Sequence, residues 1–132
     1  MYHTMILIVE DKPAIAVDLQ SKFEYWGYHT PMIASSKEEA LKIAIEIKPD
    51  LALIDIKLKA DNGIDIAKEI TDNLDTAVIY ITGHFNEELM QLMRATKPYG
   101  YAVKPFEENQ LKYTVENALY RRRIHQRIIL SK

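Results

Sequence analysis

At 132 residues the chain has the length of one ordinary domain, long enough to bury a core and too short for two of usual size. With 48% hydrophobic and 27% charged residues it has a globular composition, and a formal charge of −2 gives no global field toward nucleic acid or an anionic membrane. The lack of cysteine excludes disulfides, thiolate metal sites and cysteine nucleophiles.

The N-terminus, Met1-Tyr2-His3-Thr4, puts no basic segment ahead of an apolar run, so it does not read as a signal peptide. That run, residues 5–9, falls far short of the roughly 18 residues of a membrane span, and a cytoplasmic location is the default expectation. Residues 5–9 form the first expected strand. Pro13, just after Asp11, suits the first turn of a helix whose apolar set is Ile15, Val17, Leu19, Phe23 and Trp26, ending at Gly27. Residues 28–34 read as a second strand. Ser36-Lys37-Glu38-Glu39 is a capping box, with Leu41, Ala44, Ile45 and Ile47 supplying the buried stripe of the helix behind it.

A third strand is expected at residues 51–54, a helix at 64–73 and a fourth strand at 77–81. A helix at 86–96 carries Met90 and Met93, most simply core or a partner face. The fifth strand lies at 99–103, and a last helix starts near Glu107 with Leu111, Val115, Ala118 and Leu119 at helical spacing. Three of the five strands are apolar nearly throughout, as strands buried on both faces of a parallel sheet must be. Strict alternation of strand and helix predicts a doubly wound α/β fold with five strands and five helices. No internal repeat, low-complexity stretch or Gly/Ser linker interrupts it.

In such a sheet, ligands bind outside the carboxyl ends of the strands, where the winding reverses. Strand one ends in Glu10-Asp11, strand three in Asp55, strand four in Thr82-Gly83 and strand five in Lys104-Pro105. Three carboxylates on one edge repel one another, and a cation or raised pKa values must relieve them. With oxygen ligands only, Mg²⁺ is the natural occupant and Mn²⁺ a substitute. Lys104 would compensate a bound phosphoryl group and Thr82 donate to one of its oxygens, which describes phosphoryl transfer to a carboxylate nucleophile.

At these residues the sequence resembles the response-regulator receiver domains of two-component signalling, from Met5 to about Arg121. The matching pieces are Ile8-Val9-Glu10-Asp11, Leu53-Ile54-Asp55, Gly63, Tyr80-Ile81-Thr82-Gly83, Tyr101 and Val103-Lys104-Pro105-Phe106. The resemblance implies a flavodoxin-like strand order 2-1-3-4-5. It implies that Asp55 takes a phosphoryl group from a phosphohistidine of a sensor histidine kinase or phosphotransfer protein. It further implies that Asp11 and Asp55 bind Mg²⁺ directly, Glu10 through water, and the backbone carbonyl of Lys57 completes the set. Lys104 and Thr82 would serve the phosphoryl group, with Thr82 and Tyr101 as the switch pair that remakes the face of helix four, strand five and helix five. The Lys104-Pro105 bond is expected to be cis. Such a domain is no enzyme beyond promoting its own phosphorylation and dephosphorylation. The chain departs from the family at Leu58-Lys59, where Met-Pro is frequent, while Lys57 and His84 stand at variable positions that bear on phosphoryl lifetime.

Each residue has a plainer reading. An Asp at a strand end is often a turn or N-cap residue, Lys104-Pro105 alone is more often a surface loop, and Tyr101 alone a half-buried strand aromatic. Company decides for the site. His3, His29, His84 and His125 share no spacing and read as surface residues, and Arg121-Arg122-Arg123 as a solvated helical face without direct nucleic-acid contact. A nucleotide or flavin binder of this fold would need a Gly-rich loop, and the chain has four glycines in all. A phosphate-independent interaction module is the alternative, disfavoured by the intact Glu10, Asp11, Asp55, Thr82 and Lys104.

The receiver domain is assigned to residues 1–121 and a helical extension or linker to 122–132. Ile124 and Ile128 prolong an apolar stripe there, which is predicted to pack on a partner: the same segment in a homodimer, or an output domain following this chain.

Overall fold

The computed structural model describes residues 4–130; Met1, Tyr2, His3, Ser131 and Lys132 lie outside it, as does the reading of His3 as a surface residue. The elements are β1 (Ile6–Val9), α1 (Pro13–Tyr25), β2 (Met32–Ala34), α2 (Lys37–Ile47), β3 (Leu51–Asp55), α3 (Gly63–Asn73), β4 (Ala77–Thr82), α4 (Glu87–Arg94), β5 (Gly100–Val103) and α5 (Glu108–Leu130). The strands form one parallel sheet in the order β2-β1-β3-β4-β5, the expected doubly wound arrangement.

Strand side chains alternate between faces, and here the alternation builds two cores. Leu7, Val9, Ala52, Ile54, Val78 and Tyr80 pack on one face with residues from α2, α3 and α4. Ile6, Ile8, Leu51, Leu53, Ile79 and Ile81 face the other way, onto Leu19 and Phe23 of α1 and Leu111, Val115 and Ala118 of α5. Every residue of β1, β3 and β4 is buried, which explains their unbroken apolar runs.

Several expectations need correction. The second strand begins only at Met32, because the chain before it is turning away from α1 and Tyr28 serves as an edge-on partner of Phe23, with centroids 5.5 Å apart. In α1 the buried set is Ala16, Leu19 and Phe23, while Val17 is exposed. In α2 it is Ala40, Ile43 and Ala44, and Ile45 is 69% exposed. Both errors come from following the larger side chain when a small alanine sat on the sheet-facing side. The capping box is also offset: Glu39 N–H donates to Ser36 Oγ, but the Glu39 carboxylate reaches back to Ser35 N–H at 2.7 Å.

Helix α5 runs unbroken to Leu130, and its arginines are not all solvated. The Arg121 guanidinium lies 5.1 Å over the Tyr99 ring and donates to the Tyr99 carbonyl. Arg122 donates to the Asp75 carbonyl at 2.9 and 2.7 Å and to Asp50 Oδ1 at 2.8 Å, and Gln126 donates to Asp75 Oδ2. These bonds seat the first turns beyond residue 121 on the loops before β3 and β4. Ile124 between them, and Ile129 and Leu130 beyond, are exposed. No described helix is long and apolar enough to cross a membrane.

Candidate functional site

Parallel pairing carries the strands to a common carboxyl edge in register. Val9 pairs with Ile54, Asp55 with Ile81 and Thr82 with Val103. The ladder then continues one residue further, through Glu10 N–H to Ala34, Ile56 N–H to Ile81 and Lys104 N–H to Thr82. Glu10, Asp55, Thr82 and Lys104 are therefore delivered to one edge by backbone geometry alone. Glu10, Asp55 and Thr82 are also three of the four buried polar or charged residues found among the described residues, the fourth being Thr76.

The three carboxylates converge: one oxygen from each of Glu10, Asp11 and Asp55 lies within 4.8 Å of the others. Lys104 Nζ donates to Asp55 Oδ2 at 2.8 Å. It also stands 2.8 Å from Glu10 Oε1, but off the angle of a good hydrogen bond, so that contact is an ion pair only. Backbone donors hold one oxygen of each acid. Lys12 N–H donates to Glu10 Oε2 at 3.2 Å, Lys57 N–H to Asp55 Oδ1 at 3.1 Å and Lys59 N–H to Asp11 Oδ2. The Lys104–Pro105 peptide bond is cis, as expected.

Burial is the first influence on Glu10 and pushes its carboxyl above the usual carboxylate range; Lys104 and Lys12 pull it down, and the charge of Asp55 adds to the rise. For Lys104 burial works downward, yet its bond to Asp55 and the negative charges of Asp55 and Glu10 outweigh it and its ammonium is held above its ordinary value. One cation thus answers two buried carboxylates and leaves the third, Asp11, to others.

A hard cation fits what remains. Asp11 Oδ1 is buried without a hydrogen-bond partner, a costly condition that a metal ion would relieve, and every donor in the cluster is oxygen. Lys57 and Asn62 face each other in an isolated bridge, which runs through Gly63 N–H to the Ile56 carbonyl and so leaves the Lys57 carbonyl out of the pairing. Gly63 has its own reason to be there, since a Cβ at this position would lie 2.1 Å from the Asp55 carbonyl oxygen.

Thr82 Oγ1 has only long bonds, 3.4 Å to the His84 carbonyl and from the His84 N–H. Tyr101 lies one strand away, stacked on Tyr80 with centroids 6.4 Å apart and touched edge-on by Phe85 at 5.8 Å. Every site residue expected from the sequence therefore lies at or beside this edge, whereas His29, His84 and His125 have exposed side chains. Sequence reasoning missed the aromatic neighbours of Tyr101. The available signal was Tyr80, since it precedes Thr82 by two residues on the same strand and must share its face.

Comparison with known proteins points the same way. Residues 6–116 match the profile described as the response regulator receiver domain. The chain is 32% identical over 116 residues to the transcriptional regulatory protein PdtaR of Mycobacterium tuberculosis, covering 88% of this chain and 57% of that one. It is 34% identical over 119 residues to the phyllosphere-induced regulator PhyR of Methylorubrum extorquens, covering 89% of this chain and 44% of that one. The chain thus spans about half the length of these curated relatives. Among solved structures, the signal receiver domain of a modulated diguanylate cyclase from Desulfovibrio desulfuricans superimposes with a TM-score of 0.84 at 30% identity, covering 92% of this chain and 97% of that one.

Proposed function

The chain belongs to the response regulator receiver family of two-component signalling, and from that premise we propose that Asp55 accepts a phosphoryl group from the phosphohistidine of a sensor histidine kinase or phosphotransfer protein. The observation that carries this reading is one cluster: a buried carboxylate ending the central strand, two acids within 4.8 Å and a lysine at 2.8 Å. In the transfer, an Asp55 carboxylate oxygen forms a bond to phosphorus while the donor's nitrogen–phosphorus bond breaks.

Glu10, Asp11, Asp55 and the Lys57 carbonyl would hold Mg²⁺ or Mn²⁺, which when bound offsets the negative charge gathered on the carboxylates and phosphoryl oxygens. Lys104, already paired with Asp55 Oδ2, keeps its proton and follows the charge onto the phosphoryl group. The 3.4 Å bonds of Thr82 are weak enough to be given up for a phosphoryl oxygen. Tyr101 then turns into the space Thr82 leaves, and the face of α4, β5 and α5 changes shape for its partner.

The metal is tested by incubation with labelled acetyl phosphate. Labelling is expected in Mg²⁺ or Mn²⁺ and lost on adding EDTA; equal labelling in EDTA would remove the metal from the reading. Labelling is a better probe than tryptophan fluorescence, because Trp26 caps the end of α1 that has run back to the far edge of the sheet.

We assign residues 122–132 to the connection with an output domain rather than to self-pairing. From residue 117 onward the chain has no acid, and although Asp50 answers Arg122, the charges of Arg123, Arg127 and Lys132 would make two copies laid side by side repel. Light scattering should give the mass of a monomer with or without beryllofluoride. A dimer that disappears on removing residues 127–132 would establish self-pairing instead.

A further inference from the structure

Tyr80 carries a fully buried phenol on β4 that neither the metal cluster nor phosphoryl chemistry uses. It pairs in register with Tyr101 on β5 and forms the surface on which that ring stacks, at 6.4 Å and 25°. Phe85, three residues beyond Thr82, meets the Tyr101 ring edge-on at 5.8 Å. Tyr101 thus touches both a ring of the strand that ends in Thr82 and a ring of the connection to α4.

The hydroxyl completes the arrangement. Tyr80 Oη is 2.6 Å from Thr96 Oγ1, and Thr96 Oγ1 donates its only proton to the Met93 carbonyl at 2.7 Å. Tyr80 must therefore be the donor to Thr96. Burial above all pushes its phenol up to about 12, so it keeps that proton at any physiological pH. The Met93 carbonyl belongs to the last turn of α4, where it also accepts from the Thr96 backbone N–H at 3.1 Å. A relay of two hydrogen bonds thus fixes the end of an eight-residue helix to the strand beneath it.

We propose that Tyr80 is a positioning residue of the switch, whose bond to Thr96 latches the end of α4 onto β4 and keeps Tyr101 in its stacked place until Asp55 is phosphorylated. This rests on Thr82 and Tyr101 being the switch pair. For Tyr101 to approach Thr82, it must slide off the Tyr80 ring and displace Phe85, which leads directly into α4. The latch belongs to the arrangement described here and opposes that movement.

The test is a beryllofluoride titration of the full chain in Mg²⁺, followed through the backbone amide resonances of Tyr101 and Val103. Tyr80→Phe and Thr96→Val should each lower the half-saturating concentration about fivefold, the value of one modest hydrogen bond. The double variant should show the same shift rather than the roughly 25-fold of independent effects. Thr96→Ser, which keeps the hydroxyl, should behave as wild type. If Tyr80→Phe does not fold, Thr96→Val carries the same comparison from the other end of the bond. An unchanged or raised half-saturation in a protein that still responds overturns the latch and leaves the switch pair standing. A wild-type protein that binds beryllofluoride without moving Tyr101 overturns both.

Discussion

Asp55→Asn should reduce labelling by acetyl phosphate to background while leaving the protein folded. The loss follows from chemistry, because an amide oxygen lacks the charge to attack phosphorus and its amide nitrogen offers a metal nothing. The retained fold is less obvious, since removing one member of a buried ion pair usually strands the other. Here Lys104 keeps a second buried partner, Glu10, 2.8 Å away. Asparagine also removes a negative charge that Glu10 faces across the cluster. Thermal unfolding should therefore show a midpoint at or near that of the wild type. Labelling equal to wild type would take the phosphoacceptor role from Asp55; collapse of the fold would show that Lys104 depends on Asp55 alone.

Gly63→Ala should be among the most damaging single methyl groups that can be added to this domain. The new carbon would sit 2.1 Å from the Asp55 carbonyl oxygen and 2.8 Å from both the Asp55 carbonyl carbon and the Ile56 Cα. All three are backbone atoms at the end of the central strand, so no side chain can swing aside. The bond from Gly63 N–H to the Ile56 carbonyl, 2.9 Å, would have to lengthen as α3 moves off. We expect a loss of about 3 kcal/mol or more in denaturant unfolding, the cost of overpacking a rigid site. Phosphorylation should slow as well, because the displaced peptide is that of Asp55 itself. Wild-type stability and labelling would mean that α3 is free to retreat.

The carboxyl edge was legible in the sequence because strand ends are fixed by short apolar runs and their first polar residues. Glu10, Asp55, Thr82 and Lys104 each end such a run, and parallel pairing brings them together whatever the helices do. Details set by third parties were not legible. Ile45 looks like core by size, yet the helix turns Ala44 and Ala40 to the sheet because α2 packs closely there. Arg122 looks solvated in a run of three arginines, but Asp50 and the Asp75 carbonyl lie near in space and 72 and 47 residues away in the chain. The Tyr80–Thr96 bond is likewise invisible locally. Its partners are sixteen residues apart, joined only after α4 has folded back on the sheet.

The strand order also sets a timetable for the growing chain. Once β2 has taken its place beside β1, β3 joins the other side of β1, and β4 and β5 then each join at the outer side of the strand made just before it. Between the emergence of β3 from the ribosome and that of β4, β3 therefore presents the unpaired edge of Leu51–Asp55, an apolar run that pairs on that side only with Ala77–Thr82. Parallel strands cannot be closed by a short hairpin, so this edge stays open until α3 and β4 have both been made. Translation stalled in that interval would leave nascent chains able to pair with one another through β3, and the emergence of residues 77–82 would end the exposure.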